Sequence, residues 1–131
     1  VKRKLIEECL KIALKNNTPN KHSEWDHYHH YSFVIVNSKI LEWGKNRRGS
    51  PLLHLGFPAY SKMHSEIDAY FKAKGLMDKR EKFEVINIRL TKTNIIRHSE
   101  PCKCCFAFLK NLGCQRVWFS TNIGNFACIT F

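Results

Sequence analysis

No stretch of the 131 residues approaches the roughly 18 to 20 consecutive apolar side chains needed to span a bilayer, which excludes a transmembrane helix. The chain is therefore expected to be soluble and to have no membrane partner. Residues 1–15 carry leucines, but Glu7 and Glu8 interrupt the apolar stretch and no small-residue cleavage site follows. They read as an amphipathic first helix, not a signal peptide. Internal repeats, low-complexity tracts and interdomain linkers are also lacking, and the length suits one domain over residues 1–131 around one apolar core. Acidic residues are scarce: 11 Asp and Glu stand against 22 Lys and Arg, a formal net charge of +11. That excess favours a polyanionic partner, nucleic acid first, unless it reflects genome base composition with solvated charges that bind nothing in particular.

Six cysteines in a short chain can signal a secreted disulfide framework, but their distribution argues otherwise. Cys102, Cys104 and Cys105 crowd together, whereas Cys9, Cys114 and Cys128 lie alone among apolar residues. The spacing fits a metal site in a reducing compartment, with the isolated three in the core.

Leu5, Ile6, Cys9, Leu10, Ala13 and Leu14 recur at helical spacing, and Asn16-Asn17-Thr18-Pro19 stops the pattern. A polar loop rich in histidine and aromatic residues follows to His30. Tyr31 to Val36 and Lys39 to Trp43 then predict a strand hairpin turned at Asn37-Ser38, and a long loop runs from Gly44 to Tyr60. Ser61 can cap a second helix with Met63, Ile67, Tyr70 and Phe71 on one face and Gly75 as its left-handed stop. Phe83 to Leu90 predicts a third strand. Residues 102–112 predict a third helix, with Phe106, Leu109 and Leu112 inward and Gly113 ending it. Strands over 115–119 and 126–131 close the order α-β-β-α-β-α-β-β.

The tripeptide His-Ser-Glu occurs three times, at residues 22, 64 and 98. The copy at His64-Ser65-Glu66 opens the second helix, and Pro101-Cys102-Lys103-Cys104-Cys105 opens the third. Together they give the H-x-E and P-C-x-x-C pairing of a deaminase-type zinc site. A catalytic Zn²⁺ needs about three protein ligands and an open position for water. His64, Cys102 and Cys105 supply one imidazole and two thiols, and helix N-termini favour the thiolate form. Glu66, two residues past His64, is then the group that moves protons. The copy at His22 lies in a loop, and the one at His98 runs into the cysteine motif. His98 remains a competing ligand. A closed structural site, with Cys104 or His98 as fourth ligand, is the alternative to a catalytic one.

These residues resemble the zinc-dependent cytidine deaminase superfamily, which includes nucleoside and deoxycytidylate deaminases, tRNA adenosine deaminases, APOBEC/AID enzymes and bacterial deaminase toxins. The resemblance spans nearly the whole chain. It implies an α/β fold, a three-layer α/β/α sandwich around a five-stranded mixed sheet. An antiparallel final hairpin would place the chain nearer the nucleoside deaminases and toxins. It also implies that Asn46, in Ile40-Leu-Glu-Trp-Gly-Lys-Asn46, hydrogen-bonds the substrate; as a residue it reads equally well as an ordinary loop asparagine.

Loops over residues 18–30, 44–63, 91–101 and 120–125 are expected around the pocket mouth. Trp25, Tyr28, His29, Arg47, Arg48, Tyr60 and Arg97 are candidates there for stacking bases and gripping phosphates, and Ser99 joins the substrate-binding set. Packing over the sheet end is the alternative for Trp25 and Tyr28. The reading favours conversion of cytosine to uracil in single-stranded DNA, RNA being a further partner, because a duplex base is inaccessible in its stack. Alternatives are a free cytidine or deoxycytidylate deaminase, an adenosine deaminase acting on RNA, or a non-catalytic zinc-stabilised nucleic-acid binder. The expected state is a monomer, cytoplasmic or associated with nucleic acid inside the cell, or delivered into another cell if the chain is a toxin domain.

Overall fold

The computed structural model describes residues 3–17, 28–46, 64–78 and 81–131. Its elements follow the order α1 (Arg3–Asn16), β1 (Tyr28–Val36), β2 (Lys39–Lys45), α2 (Ser65–Ala73), β3 (Phe83–Thr91), β4 (Ile96–Arg97), α3 (Lys103–Asn111), β5 (Cys114–Ser120) and β6 (Phe126–Thr130). The long strands form one mixed sheet in the order β2-β1-β3-β5-β6, with β4 paired to the end of β3. Within it β3 and β5 are the parallel neighbours, and the final pair is antiparallel, as the sequence predicts.

Helix α1 covers one face of this sheet, burying Leu5, Cys9 and Ala13 against Tyr31, Phe33, Ile86, Ile88 and Leu90. Helices α2 and α3 cover the other, where Ala69, Ala73 and Leu109 meet Val34, Phe83, Val85 and Val117. Alternation along β1 and β3 produces both layers, since successive side chains point to opposite faces and both are buried. The expected three-layer α/β/α sandwich is thus present.

Several local expectations need correction. Strand β1 starts at Tyr28, three residues early, because Tyr28, His29 and His30 pair with Thr91, Leu90 and Arg89 on β3. Strand β2 runs on to Lys45 through Gly44. Helix α2 buries Ile67, Ala69 and Ala73, while Phe71 is exposed; Met63 and Ser61 lie outside the described residues. Gly75 falls in a 3-10 turn at Lys74–Leu76 without a positive φ, so it is no left-handed stop. Gly113, at φ +87, does end α3, but Phe106 packs on Phe131 at the surface and Leu112 is exposed, so Cys105 and Leu109 are the buried face. Cys9 and Cys114 are buried as expected; Cys128, on the edge strand β6, is exposed.

Strand direction determines where a site can form. Strands β2 and β3 each run antiparallel to β1, and β5 runs parallel to β3, so all three end at one edge of the sheet. Helix α2 follows β2, and helix α3 follows β4, which folds back along the end of β3; Ser65 bonds to Ser32 and Ser99 to Asn87, so the start of α2 and the segment leading into α3 meet over the same pair of strands near that edge. This is where open α/β sheets place their ligands.

Gly44 holds α2 to the sheet. A Cβ there would sit 2.3 Å from the Ala69 backbone nitrogen and 2.8 Å from its Cα. The contact is backbone against backbone, so no rotamer change can relieve an added methyl. Gly44→Ala is expected to destabilise the fold by about 2 kcal/mol or more in urea unfolding, as overpacked cores do, and to weaken metal binding by shifting α2. Wild-type stability and metal affinity in this variant would contradict the contact.

Candidate active site

His64 ends its loop in an extended conformation and precedes the first turn of α2, while Cys102 does the same for α3. Cys102 Sγ accepts a hydrogen bond from the Cys105 backbone N–H at 3.4 Å, acting as the cap of its helix. His64 makes no side-chain cap; its Nδ1 instead lies 3.6 Å from Cys102 Sγ and 3.2 Å from Cys105 Sγ. The three donor atoms all lie within 4.8 Å of one another. Around a tetrahedral zinc with bonds of ~2.0 Å to nitrogen and ~2.3 Å to sulfur, donors stand about 3.6 to 3.8 Å apart. The observed spacing and the mixed imidazole and thiol chemistry fit such an ion. Among the described residues no fourth His, Cys, Asp or Glu joins the group.

The competing ligands are engaged elsewhere. The His98 ring pairs with Glu100 at 3.2 Å and lies edge-on to Phe119. Cys104 packs beside the small cluster of Ile67 and Cys105. The other copy of the tripeptide, at His22, lies outside the described residues.

Two sulfurs and one imidazole share protons in the metal-free protein. The hydrogen bond from Cys105, helped by His64, draws the Cys102 thiol down to about 4. The same pairing, with burial and the nearby Glu66, pushes Cys105 up. An ion entering this triangle displaces the proton that the sulfurs hold between them.

Glu66 is buried two residues past His64, close enough for its charge to act on His64 and Cys105, without belonging to the set of three. Burial raises its pKa, against the partial compensation of a backbone hydrogen bond, the His64 charge and the Ser65 hydroxyl, which donates to Oε1 at 3.1 Å. A carboxyl that holds its proton more tightly than usual is a kind of group that general acid–base chemistry can use. Asp68, two residues on, accepts from the Lys45 backbone N–H at 3.2 Å and pairs with Lys72 at 3.1 Å, tying the helix start to the end of β2.

The substrate-binding candidates divide. Asn46 lies at the same edge, its backbone N–H donating to the His30 carbonyl and its Oδ1 accepting from the His30 N–H at 2.9 Å. Arg97, on β4, sits across from Arg89, one strand from the site edge, and is half-buried. Two others are structural. His29 is buried on the α1 face, its Nδ1 bonded to Asn17 Oδ1 together with Tyr31, so it clamps the end of α1 to the sheet. Ser99 is buried, with its hydroxyl on the Asn87 carbonyl and against Ser120. Trp25, Arg47, Arg48 and Tyr60 lie outside the described residues, as does the side chain of Tyr28. His30 escapes sequence reasoning because the polar run 27–30 reads as loop; alternation puts it on the α2 face, beside Arg89.

No protein-family model matches the sequence, and no curated protein sequence does. Solved structures do. The cytidine deaminase of Burkholderia pseudomallei superposes with a TM-score of 0.62 at 15% identity, over 99% of this chain and 93% of that one. The chain has the cytidine deaminase-like fold. A dCMP deaminase from the cyanophage S-TIM5 shares this cytidine deaminase-like architecture, with a TM-score of 0.58 at 20% identity over 92% and 86% of the two chains. The cytidine deaminase of Mycobacterium leprae gives 0.57 at 15% over 95% and 92%. In this cytidine deaminase-like chain, no helix among the described residues is long and apolar enough to cross a membrane.

Two measurements follow from the geometry. His64→Ala is expected to weaken zinc binding about a hundredfold in chelator competition, whereas His98→Ala and Cys104→Ala should each keep one equivalent at near wild-type affinity. A comparable loss in His98→Ala would make it a ligand. His30 offers the second. Burial, then the charges of Arg89, His64 and His29, lowers its pKa from 6.5 to about 4. Below about 6.5 the unfolded chain binds a proton that the folded one refuses until about 4, so stability falls as pH drops through that window. Relative to His30→Gln, the wild type should lose about 3 kcal/mol between about pH 7 and 4; a constant difference would refute the neutral, half-buried ring.

Proposed function

We propose that this chain is a zinc-dependent hydrolytic deaminase of cytosine, acting on free cytidine or deoxycytidylate. The observation that carries the reading is the juxtaposition of His64, Cys102 and Cys105 at tetrahedral donor spacing with the buried carboxyl of Glu66 alongside. The choice of a free substrate is supported by the fold neighbours, which are a cytidine deaminase from each of two bacteria and a phage dCMP deaminase.

His64 Nδ1 and the two thiolates would hold the ion, and when bound it supplies activation of a water molecule for attack. Glu66 takes a proton from that water and passes it to the ring nitrogen next to the amino-bearing carbon. It next relays a proton to the departing amine, so that cytosine and water become uracil and ammonia. Its burial suits both directions of transfer, since a low-dielectric site favours the protonated carboxyl while the adjoining cation favours the ionised one. Asn46, whose Oδ1 accepts from the His30 backbone N–H, would orient the substrate in this reading.

A second reading, single-stranded DNA or RNA as substrate, is favoured by the net charge of +11. The experiment that separates the two offers cytidine, deoxycytidylate, a cytosine-containing DNA oligonucleotide and its RNA counterpart side by side, with ammonia release as the readout. Turnover of a free substrate is expected, with Glu66→Ala slower by about 10² to 10⁴-fold while zinc stays bound. Turnover of the oligonucleotides alone, falling steeply with added salt, would assign the chain to nucleic acid. Full activity in Glu66→Ala, or ammonia from none of the four, would overturn the deaminase reading.

A further inference from the structure

Strands β1, β3 and β5 each carry a buried polar residue where the pattern leads one to expect an apolar one: Ser32, Asn87 and Ser120. Ser32 and Asn87 are cross-strand partners on the face under α2 and α3. Leaving such a group without partners in a core costs about 1 to 3 kcal/mol, so the sequence has accepted a constraint that valine would have avoided. The three are linked. From the site inward, Glu66 Oε1 lies 3.1 Å from Ser65 Oγ, which lies 2.7 Å from Ser32 Oγ, which donates to Asn87 Oδ1 at 2.7 Å. Asn87 Nδ2 donates to the Ser99 carbonyl at 3.3 Å, and the Ser99 hydroxyl meets Ser120 Oγ at 2.8 Å. The chain of bonds thus joins the start of α2 to the segment that delivers the cysteines.

Counting hydrogens gives the chain a direction. Only the amide nitrogen of Asn87 can face the Ser99 carbonyl, so its oxygen faces Ser32 and takes the single hydroxyl hydrogen of that residue. Ser32 is left with lone pairs toward Ser65 and can only accept from it. The Ser65 hydrogen therefore has two acceptors in reach, Ser32 Oγ and Glu66 Oε1. Ser65 Oγ thus stands between the Glu66 carboxyl and the Ser32–Asn87 pair, within hydrogen-bond distance of both.

We propose that Ser32 and Asn87 are positioning residues for the Glu66 carboxyl: through Ser65 they fix the place of its Oε1. The proposal rests on Glu66 being the proton carrier of the deaminase reading. Neither residue touches substrate or ion, so their removal should slow proton transfer without weakening binding.

Ser32→Ala deletes one buried oxygen and nothing else. In the zinc-loaded protein it is expected to lower kcat tenfold or more, with KM and one zinc per chain retained. In the metal-free protein the ¹³C resonance of the Glu66 carboxyl should move, and Ser32→Thr, which restores the hydroxyl, should return both kcat and resonance toward wild type. If the alanine variant does not fold, Ser32→Cys keeps the shape with a much weaker donor and should show the same loss. Wild-type kcat in these variants, or a parallel collapse of kcat, KM and zinc content, would overturn the proposal. A wild-type protein that deaminates nothing would refute the deaminase reading instead; the resonance would still decide the link, and an unmoved Glu66 signal in Ser32→Ala would refute it.

Discussion

Two helices must begin at one point above the sheet edge, and the chain meets that requirement through strand direction. Strands β2 and β3 run the same way, the short β4 folds back along β3 ahead of α3, and α2 and α3 lie over the same face. Helix N-termini carry unsatisfied N–H groups and a partial positive charge, which stabilise thiolates and, in the first turn of α2, the carboxyls of Glu66 and Asp68. A triangle of possible metal ligands assembled from side chains far apart in sequence is thus a by-product of topology. The ligands need only occupy the residues where the helices start.

The polar groups below the site belong to the same arrangement. Ser32, Ser65, Asn87, Ser99 and Ser120 are all buried, and each finds a partner among the others or in a nearby backbone. On the opposite face, Asn17 performs a comparable task, binding His29, Tyr31 and the Thr91 carbonyl where α1 ends. Both networks lie toward the strand ends, where the apolar core thins. Each converts a place that packing alone would leave adaptable into one with a single geometry.

Much of the fold and the metal group is legible in the sequence for physical reasons. The three-residue spacing of Cys102 and Cys105 follows from the turn of a helix, and His64 stands at the head of another, so local pattern is enough to pick out the three side chains that the structure brings together. Helix α1 and the final hairpin announce themselves by periodicity and turn residues. What escapes is whatever depends on pairing across strands. His29 and His30 look like loop because nothing local says that β3 will extend to meet them, and Ser99 looks available because its partners, Asn87 and Ser120, are distant in sequence. One signal is open to reading: a lone serine or asparagine inside an apolar strand, as at Ser32 and Asn87, marks a core position held for hydrogen bonding.

The meeting of Gly44 with Ala69 has a consequence for how tolerant the protein can be. Side-chain packing behaves like a spring, since rotamers shift and neighbours refill small gaps, but two main chains in contact behave like a ruler. Neighbouring side chains can be exchanged for others of similar volume while the separation of strand and helix keeps its calibration, and the imidazole at the head of that helix inherits the constancy.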